Sequence, residues 1–231
     1  MGGVYRRAPP TTLEPSDVAH PLWPLFDLRI RSEHLVLRLP TDDELVDLAE
    51  LARSGIHDAG EMPFGVPWST RPSPAFEIGF IQHHWSMRAT FAPEKWWLNL
   101  GVERDGSWVA AQTIAAENFP VFRTVDTGSW VAQRYQRQGI GKEMRGAVLA
   151  FAFDHLGARL ALSEAFTDNT ASNAVSRSLG YEPDGFGQLA PEGVARETVK
   201  YRMTVERWRS QRRPTVEVEG MDRCRALFGS T

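Results

Sequence analysis

Gly128-Ser129-Trp130-Val131-Ala132-Gln133-Arg134-Tyr135-Gln136-Arg137-Gln138-Gly139-Ile140-Gly141-Lys142 is the stretch on which the reading of this chain turns. The segment Thr124 to Gln133 that leads into it has the length and composition of a strand. Beyond it, Ile140, Met144, Val148, Phe151 and Ala152 fall on one stripe, which predicts a helix from about Ile140 to Leu156. A strand that feeds a helix through glycines leaves backbone N–H groups free at the helix N-terminus, where the dipole favours an anion. Two glycines can also make no more than a tight turn, with Lys142 a solvated charge. The neighbours decide between these: Arg134, Arg137, Lys142 and Arg145 give a local positive field to a chain of formal net charge -3. A multiply phosphorylated ligand is implied. The dinucleotide fingerprint would need a third glycine where Met144 stands. An ATP-type loop would need a glycine at Gln136 and a Ser or Thr at Glu143, so neither motif fits.

Downstream, Arg159 to Phe166 reads as a strand, Thr170 to Leu179 as a short helix and Glu197 to Val205 as a last alternating strand. On the short helix Asn169, Ser172, Asn173 and Ser176 stand at i, i+3, i+4 and i+7, on or leading into one face. Such a stripe can be a capped helix whose serines face water. Upstream, Leu35, Leu37 and Leu39 alternate as in a strand. Thr41-Asp42-Asp43-Glu44 is a capping box opening a helix that Gly55 stops. A proline- and glycine-broken loop over 57–74 precedes helical spacing from Ala75 to Phe91, and loop and helix together would roof something. Trp97 to Val102 and Trp108 to Ala115 read as strands of a hairpin turned at Asp105-Gly106.

These residues carry a resemblance. Gln136-Arg137-Gln138-Gly139-Ile140-Gly141 matches the GNAT loop Q/R-x-x-G-x-G/A, and Gly128-Ser129-Trp130-Val131 resembles that family's splayed strand. Asn169-x-x-Ser172-Asn173-Ala174-Val175 with Leu179-Gly180-Tyr181 resembles the ending of GNAT domains, particularly the RimJ/RimL branch. An actinobacterial, mycobacterial-type subgroup of acyl-CoA and succinyl-CoA transferases is also similar along much of the chain. The two motifs cover residues 124–181, and the element order covers about 29–207. The resemblance implies a mixed α/β fold: a twisted, mostly antiparallel sheet with helices on both faces and a splayed central strand. It also implies direct transfer of an acetyl or succinyl group from acyl-CoA to a primary amine, of a peptide N-terminus or a small molecule. The alternative is a non-catalytic acyl-CoA-binding or sensing module. By resemblance Trp130 and Val131 hold the pantetheine, and Gln136, Arg137, Gln138, Gly139, Ile140, Gly141 and Lys142 hold the pyrophosphate. Asn169 and Asn173 contact the cofactor. Arg137 stands where a glycine is often found. Many relatives carry a proton-donating tyrosine at the position of Ser176; in the RimL-type pattern Ser172 is the candidate instead and is preferred.

An amine nucleophile must lose a proton, so a carboxylate near the splayed strand is expected. Asp126 is the first candidate, with Glu117 and Glu164 in reserve. Met62, Phe64, Trp68, Phe119 and Phe122 are expected to make an apolar acceptor rim, and Arg71, Arg88 or Arg123 to hold a carboxylate. His83 and His84 read as packing or surface residues, and no metal is assigned.

With 231 residues, 42% hydrophobic and 24% charged, the composition is that of one globular domain with extensions. The expected division is an extended arm over 1–27, pinned by Leu22, Trp23, Leu25 and Phe26, a GNAT domain over 28–208 and a tail over 209–231 that includes a strand at Thr215 to Val218. The charge gives no bulk attraction to nucleic acid or membrane. One cysteine, Cys224, excludes an internal disulfide, and its place outside the motifs argues against a thiol intermediate. No apolar run resembles a signal peptide or a membrane span, so a soluble cytoplasmic protein is expected, with room for a homo-oligomer.

Overall fold

The computed structural model describes residues 20–230. Among them nine strands share one sheet. In chain order they are β1 (Arg29–Arg31), β2 (Val36–Arg38), β3 (Lys95–Arg104), β4 (Ser107–Glu117), β5 (Thr124–Val131), β6 (Leu160–Phe166), β7 (Glu182–Leu189), β8 (Arg196–Thr204) and β9 (Glu217–Glu219). The spatial order is β7-β8-β6-β5-β4-β3-β2-β1-β9, and every pairing is antiparallel except β5 with β6. The helices are α1 (Asp42–Arg53), α2 (Ala75–Ala89), α3 (Phe119–Phe122), α4 (Ile140–Ala150), α5 (Thr170–Ser178), α6 (Val205–Arg209) and α7 (Met221–Cys224). Helix α4 continues through a π-helical turn over Phe151–His155. This is the mixed, mostly antiparallel architecture that the motif order implied.

Local chemistry fixes the elements. Thr41 and Glu44 close the capping box of α1 reciprocally. The β3–β4 hairpin turns at Asp105 and Gly106, with φ of 52° and 73°, the left-handed pair that a two-residue hairpin loop requires. Buried Leu35, Leu37 and Leu39 carry the alternation read around β2. Two strands gave no such signal. β1 is three residues long, and β7 contains Pro183, Gly185 and Gly187 and a register shift between Pro183 and Phe186, so neither presents a run of alternating side chains.

The sheet separates two apolar layers. One joins Val125, Ala161, Met203 and the inner strands to α4. The other joins α1, α2 and the loop between them to Trp108 and Trp130. The C-terminal segment belongs to the first layer: β9 pairs with β1, and Met221, Cys224 and Phe228 are buried. Its strand lies at Glu217–Glu219, two residues beyond the expected start at Thr215. Of the residues expected to pin the N-terminal arm, Leu25 is buried and Trp23 and Phe26 pack on the core. Leu22 does not take part, being 86% exposed. The arm's residues 1–19 lie outside the described residues.

Candidate active site

Strands β5 and β6 run parallel but pair only over Thr124↔Leu160, Val125↔Ala161 and Asp126↔Leu162. β5 stays bonded to β4 as far as Val131, and β6 stays bonded to β8 as far as Phe166. The two strands therefore diverge into a fork, and among the described residues no strand pairs with the β6-facing edge of Gly128 to Val131. A strand edge of this kind offers its N–H and C=O groups to an extended ligand. Nothing stands within 4 Å of the place a Cβ would take on Gly128, so the sheet face that Gly128 shares with Asp126 and Trp130 is uncovered at that point.

The loop between β5 and α4 is pinned from behind. Gln136 Nε2 donates to Val131 O (2.9 Å) and Ile56 O (3.0 Å), and Gln138 Nε2 donates to Arg134 O (3.1 Å). The two glutamine side chains are thus spent on the scaffold, which leaves backbone to face a ligand. Arg137 and Gly139 both take the left-handed conformation, φ 59° and 83°. The first explains why glycine suits that position and shows that an arginine can occupy it. Exposed Arg134, Arg137 and Lys142 make a positive surface here. Arg145 does not belong to that surface, contrary to the sequence reading: one turn into α4, between Met144 and Val148, it points into the protein and is buried.

Arg145 instead lines the α4 side of the fork. Its Nη1 donates to Ser176 Oγ (3.0 Å) and reaches Ser163 Oγ (3.5 Å), and its Nη2 donates to Ser129 Oγ (3.3 Å). Ser129 lies on the free part of β5, Ser163 on β6 just past its last pair with β5, and Ser176 on α5. Burial lowers the guanidinium pKa. On α5, Asn169 is the N-cap, accepting from Ser172 N–H at 3.1 Å. Asn173 donates to Phe166 O and Thr167 O (3.0 and 3.2 Å), holding the end of β6, while its Oδ1 has no partner among the described residues. Ser172 is half-buried and Ser176 fully buried. The polar stripe is therefore divided: Asn169 and Asn173 fasten the helix, and Ser176 meets the arginine.

Asp126 lies three residues from Ser129 and so faces the other side of the sheet, with Gly128 and Trp130. Its carboxyl is held above its ordinary pKa, first by the protein around it and then by Glu117 and Glu164. Glu117 is paired with Lys95 (2.5 Å), and Glu164 accepts from Thr198 Oγ1, which leaves Asp126 the least committed of the three. Beside it runs a line that the sequence reading did not connect. Thr113, opposite Gly128, donates to Asn99 Oδ1 (2.7 Å), and Asn99 Nδ2 meets His83 Nε2 at 3.1 Å. Burial lowers the His83 pKa, so the neutral ring accepts from Asn99. The β3–β4 register sets Asn99 opposite Thr113, and the packing of α2 on the sheet brings His83 to them.

The roof is aromatic. Trp68 lies 6.4 Å from Trp130 and packs on Phe64, Phe76 and Phe80. The expected rim is narrower than the sequence suggested, because Met62 and Phe119 are buried and only Phe64, Trp68 and Phe122 remain for it. Arg88 is committed to Asp42 and Pro40 O and so cannot hold a ligand carboxylate as expected. Cys224 is buried against Pro24 O, and burial pushes its thiol up to about 11. His84 is buried, its imidazole lowered to about 3. Among the described residues no group of three or more metal-ligating side chains comes together, and no helix is long and apolar enough to cross a membrane.

Known structures share this fold. The Mycobacterium smegmatis RimJ, solved with a CoA disulfide, superposes with a TM-score of 0.62 at 18% identity, covering 88% of this chain and 95% of its own. RimL, a ribosomal alpha-N-protein acetyltransferase solved with coenzyme A, gives 0.60 at 15% identity over 76% of this chain and 97% of its own. A GCN5-related N-acetyltransferase from Brucella melitensis gives 0.63 at 18% identity, over 78% and 80%. At these identities the likeness is one of fold. The family follows from the sequence profile of the acetyltransferase (GNAT) domain, which matches residues 34–182. Fork, loop and profile agree, and this chain belongs to the GNAT family of acetyltransferases, enzymes whose acyl donor is acetyl-CoA.

Proposed function

We propose that this protein moves an acetyl group from CoA directly to a primary amine, of a peptide N-terminus or a small molecule. The observation that carries the reading is the fork, whose free β5 edge leads straight into the loop at the N-terminus of α4. The donor set fits an acyl-CoA. The β5 edge from Gly128 through Trp130 and Val131 would bond the pantetheine amides, and within the loop from Gln136 to Lys142 the backbone N–H groups of the inner residues would hold the pyrophosphate, those of Gln136 and Lys142 being bonded to Gln133 O and Gly139 O. When bound, the group supplies an activated thioester. Asp126 takes the proton from the amine, and its raised pKa suits that work better than an ordinary carboxylate would. Ser172 and Ser176 are the candidate donors to the departing sulfur, and Asn169 and Asn173 hold α5 against the cofactor side. A succinyl donor is the second acyl group to be tried, with Arg71, or Arg123 from its place over the Phe119 ring, the candidate to meet its carboxylate.

The test is release of free CoA thiol from acetyl-CoA and succinyl-CoA against a panel of peptides and small amines. Turnover with acetyl-CoA and one amine class is expected. Tight CoA binding with no turnover on any acceptor would make the chain a binding module instead.

A further inference from the structure

Arg145 is a full positive charge with no carboxylate. Among the described residues no acidic group comes within ion-pair distance of it, although burying an unpaired charge costs several kcal/mol. Among the described residues its partners are three neutral hydroxyls, and its Nε has no partner there. The titratable group facing it is Tyr181, whose phenol is raised by burial and so stays neutral. A structural arginine would be expected to carry an acidic partner. This one keeps its charge uncompensated inside the fork, between a strand that would hold a ligand and the helix that carries Ser176.

We propose that Arg145 is the counter-charge for the departing CoA thiolate, acting directly and through the hydroxyls of Ser129 and Ser176. The inference rests on the reading that acyl-CoA occupies the fork. In the transfer the amine nitrogen bonds to the acyl carbon, the carbon–sulfur bond breaks, its electron pair stays on sulfur and the amine proton passes to Asp126. Asp126 and Arg145 lie on opposite faces of the sheet, so the proton leaves on one side while negative charge arises towards the other. Arg145 donates to Ser176 Oγ, which leaves that hydroxyl's own hydrogen to point away from the guanidinium. A fixed cation at a site of developing charge, already desolvated, does this without a proton transfer. It explains how the reaction proceeds where no tyrosine stands at position 176.

The readout is the acidity of bound CoA rather than turnover. CoA binding is measured by calorimetry across pH in buffers of different ionisation enthalpy, with ultraviolet absorbance of the thiolate and with desulfo-CoA as control. In the wild-type protein the acid constant of the bound thiol should rise about tenfold or more over free CoA, as for a group beside an opposite charge, and desulfo-CoA should bind without that proton release. Arg145→Lys should keep part of the effect and Arg145→Met lose it. Circular dichroism reports whether each variant folds, and the wild-type measurement stands even if neither does. A bound thiol that titrates as it does in water overturns the proposal while leaving the CoA site intact. Failure of CoA to bind at all overturns both.

Discussion

At the scale of single residues the structure separates tasks that the sequence placed together. Asp126 and Arg145 were both legible as charges near the motif, but only the register of β5 puts one on each face. A fully buried arginine could not be read from a helix whose other neighbours are loop cations. If Asp126 takes the proton, Asp126→Asn should leave acyl-CoA affinity unchanged, lower turnover and recover part of it at high pH. The acid limb of the wild-type kcat/KM profile should lie above the ordinary carboxylate range, in the direction of the raised pKa. The same shift has a stability consequence of fixed sign. A carboxyl whose folded pKa is raised binds its proton more tightly in the folded state, so its contribution falls as pH rises through that window. Asp126→Asn should therefore be slightly more stable than wild type at neutral pH and equal to it in acid, which denaturation at two pH values checks. Equal stability at both would mean that the carboxyl is not perturbed. Gly139 offers a second separation. Its φ of 83° strains any side chain, yet a Cβ there meets nothing within 4 Å. Gly139→Ala should cost about 1–2 kcal/mol of stability from the backbone alone, and any loss of CoA affinity beyond that reports the ligand's approach.

At the scale of elements, α5 carries two jobs on one face. Asn169→Ala should cost about 1 kcal/mol as the loss of an N-cap, measurable by urea titration. A fall in CoA affinity larger than that loss would place Asn169 at the cofactor as well. Ser172→Ala and Ser176→Ala divide the remaining question. The family pattern favours a larger turnover loss at Ser172, roughly a hundredfold for a donor aimed at developing charge. The contact between Arg145 and Ser176 favours the reverse, and steady-state kinetics of the pair decides. The helix and its polar spacing were plain in the sequence because a 3.6-residue period is local. Which of its polar groups meets a buried cation is a long-range fact, since Arg145 and Ser176 are 31 residues apart. For the same reason the Thr113–Asn99–His83 line, assembled across two strands and a helix, left no trace in any local window.

For the whole molecule, the order of elements was readable because each carries its own stop: the capping box, the Asp-Gly turn, the glycine loop. β1 and β7 were not, because one is too short and the other too irregular to show a period, whereas β9 was read with its start two residues early. The last residues prove structural. Phe228 packs 5.0 Å from Trp96, 5.5 Å from Phe91 and 5.8 Å from Phe151, so Phe228→Ala should cost about 3–5 kcal/mol, read as a lowered denaturant midpoint. The fork, finally, divides the sheet in the folding sense. Six strands on one side and three on the other are joined by three residue pairs, fewer than hold β3 to β4, β4 to β5, β6 to β8 or β7 to β8. Such a seam is where a protein opens without unfolding, so backbone amides flanking it should exchange with solvent through a partial opening rather than a global one. A ligand lying along the free edge would bridge the halves, and amide protection would then spread across the seam as the two units come to open as one.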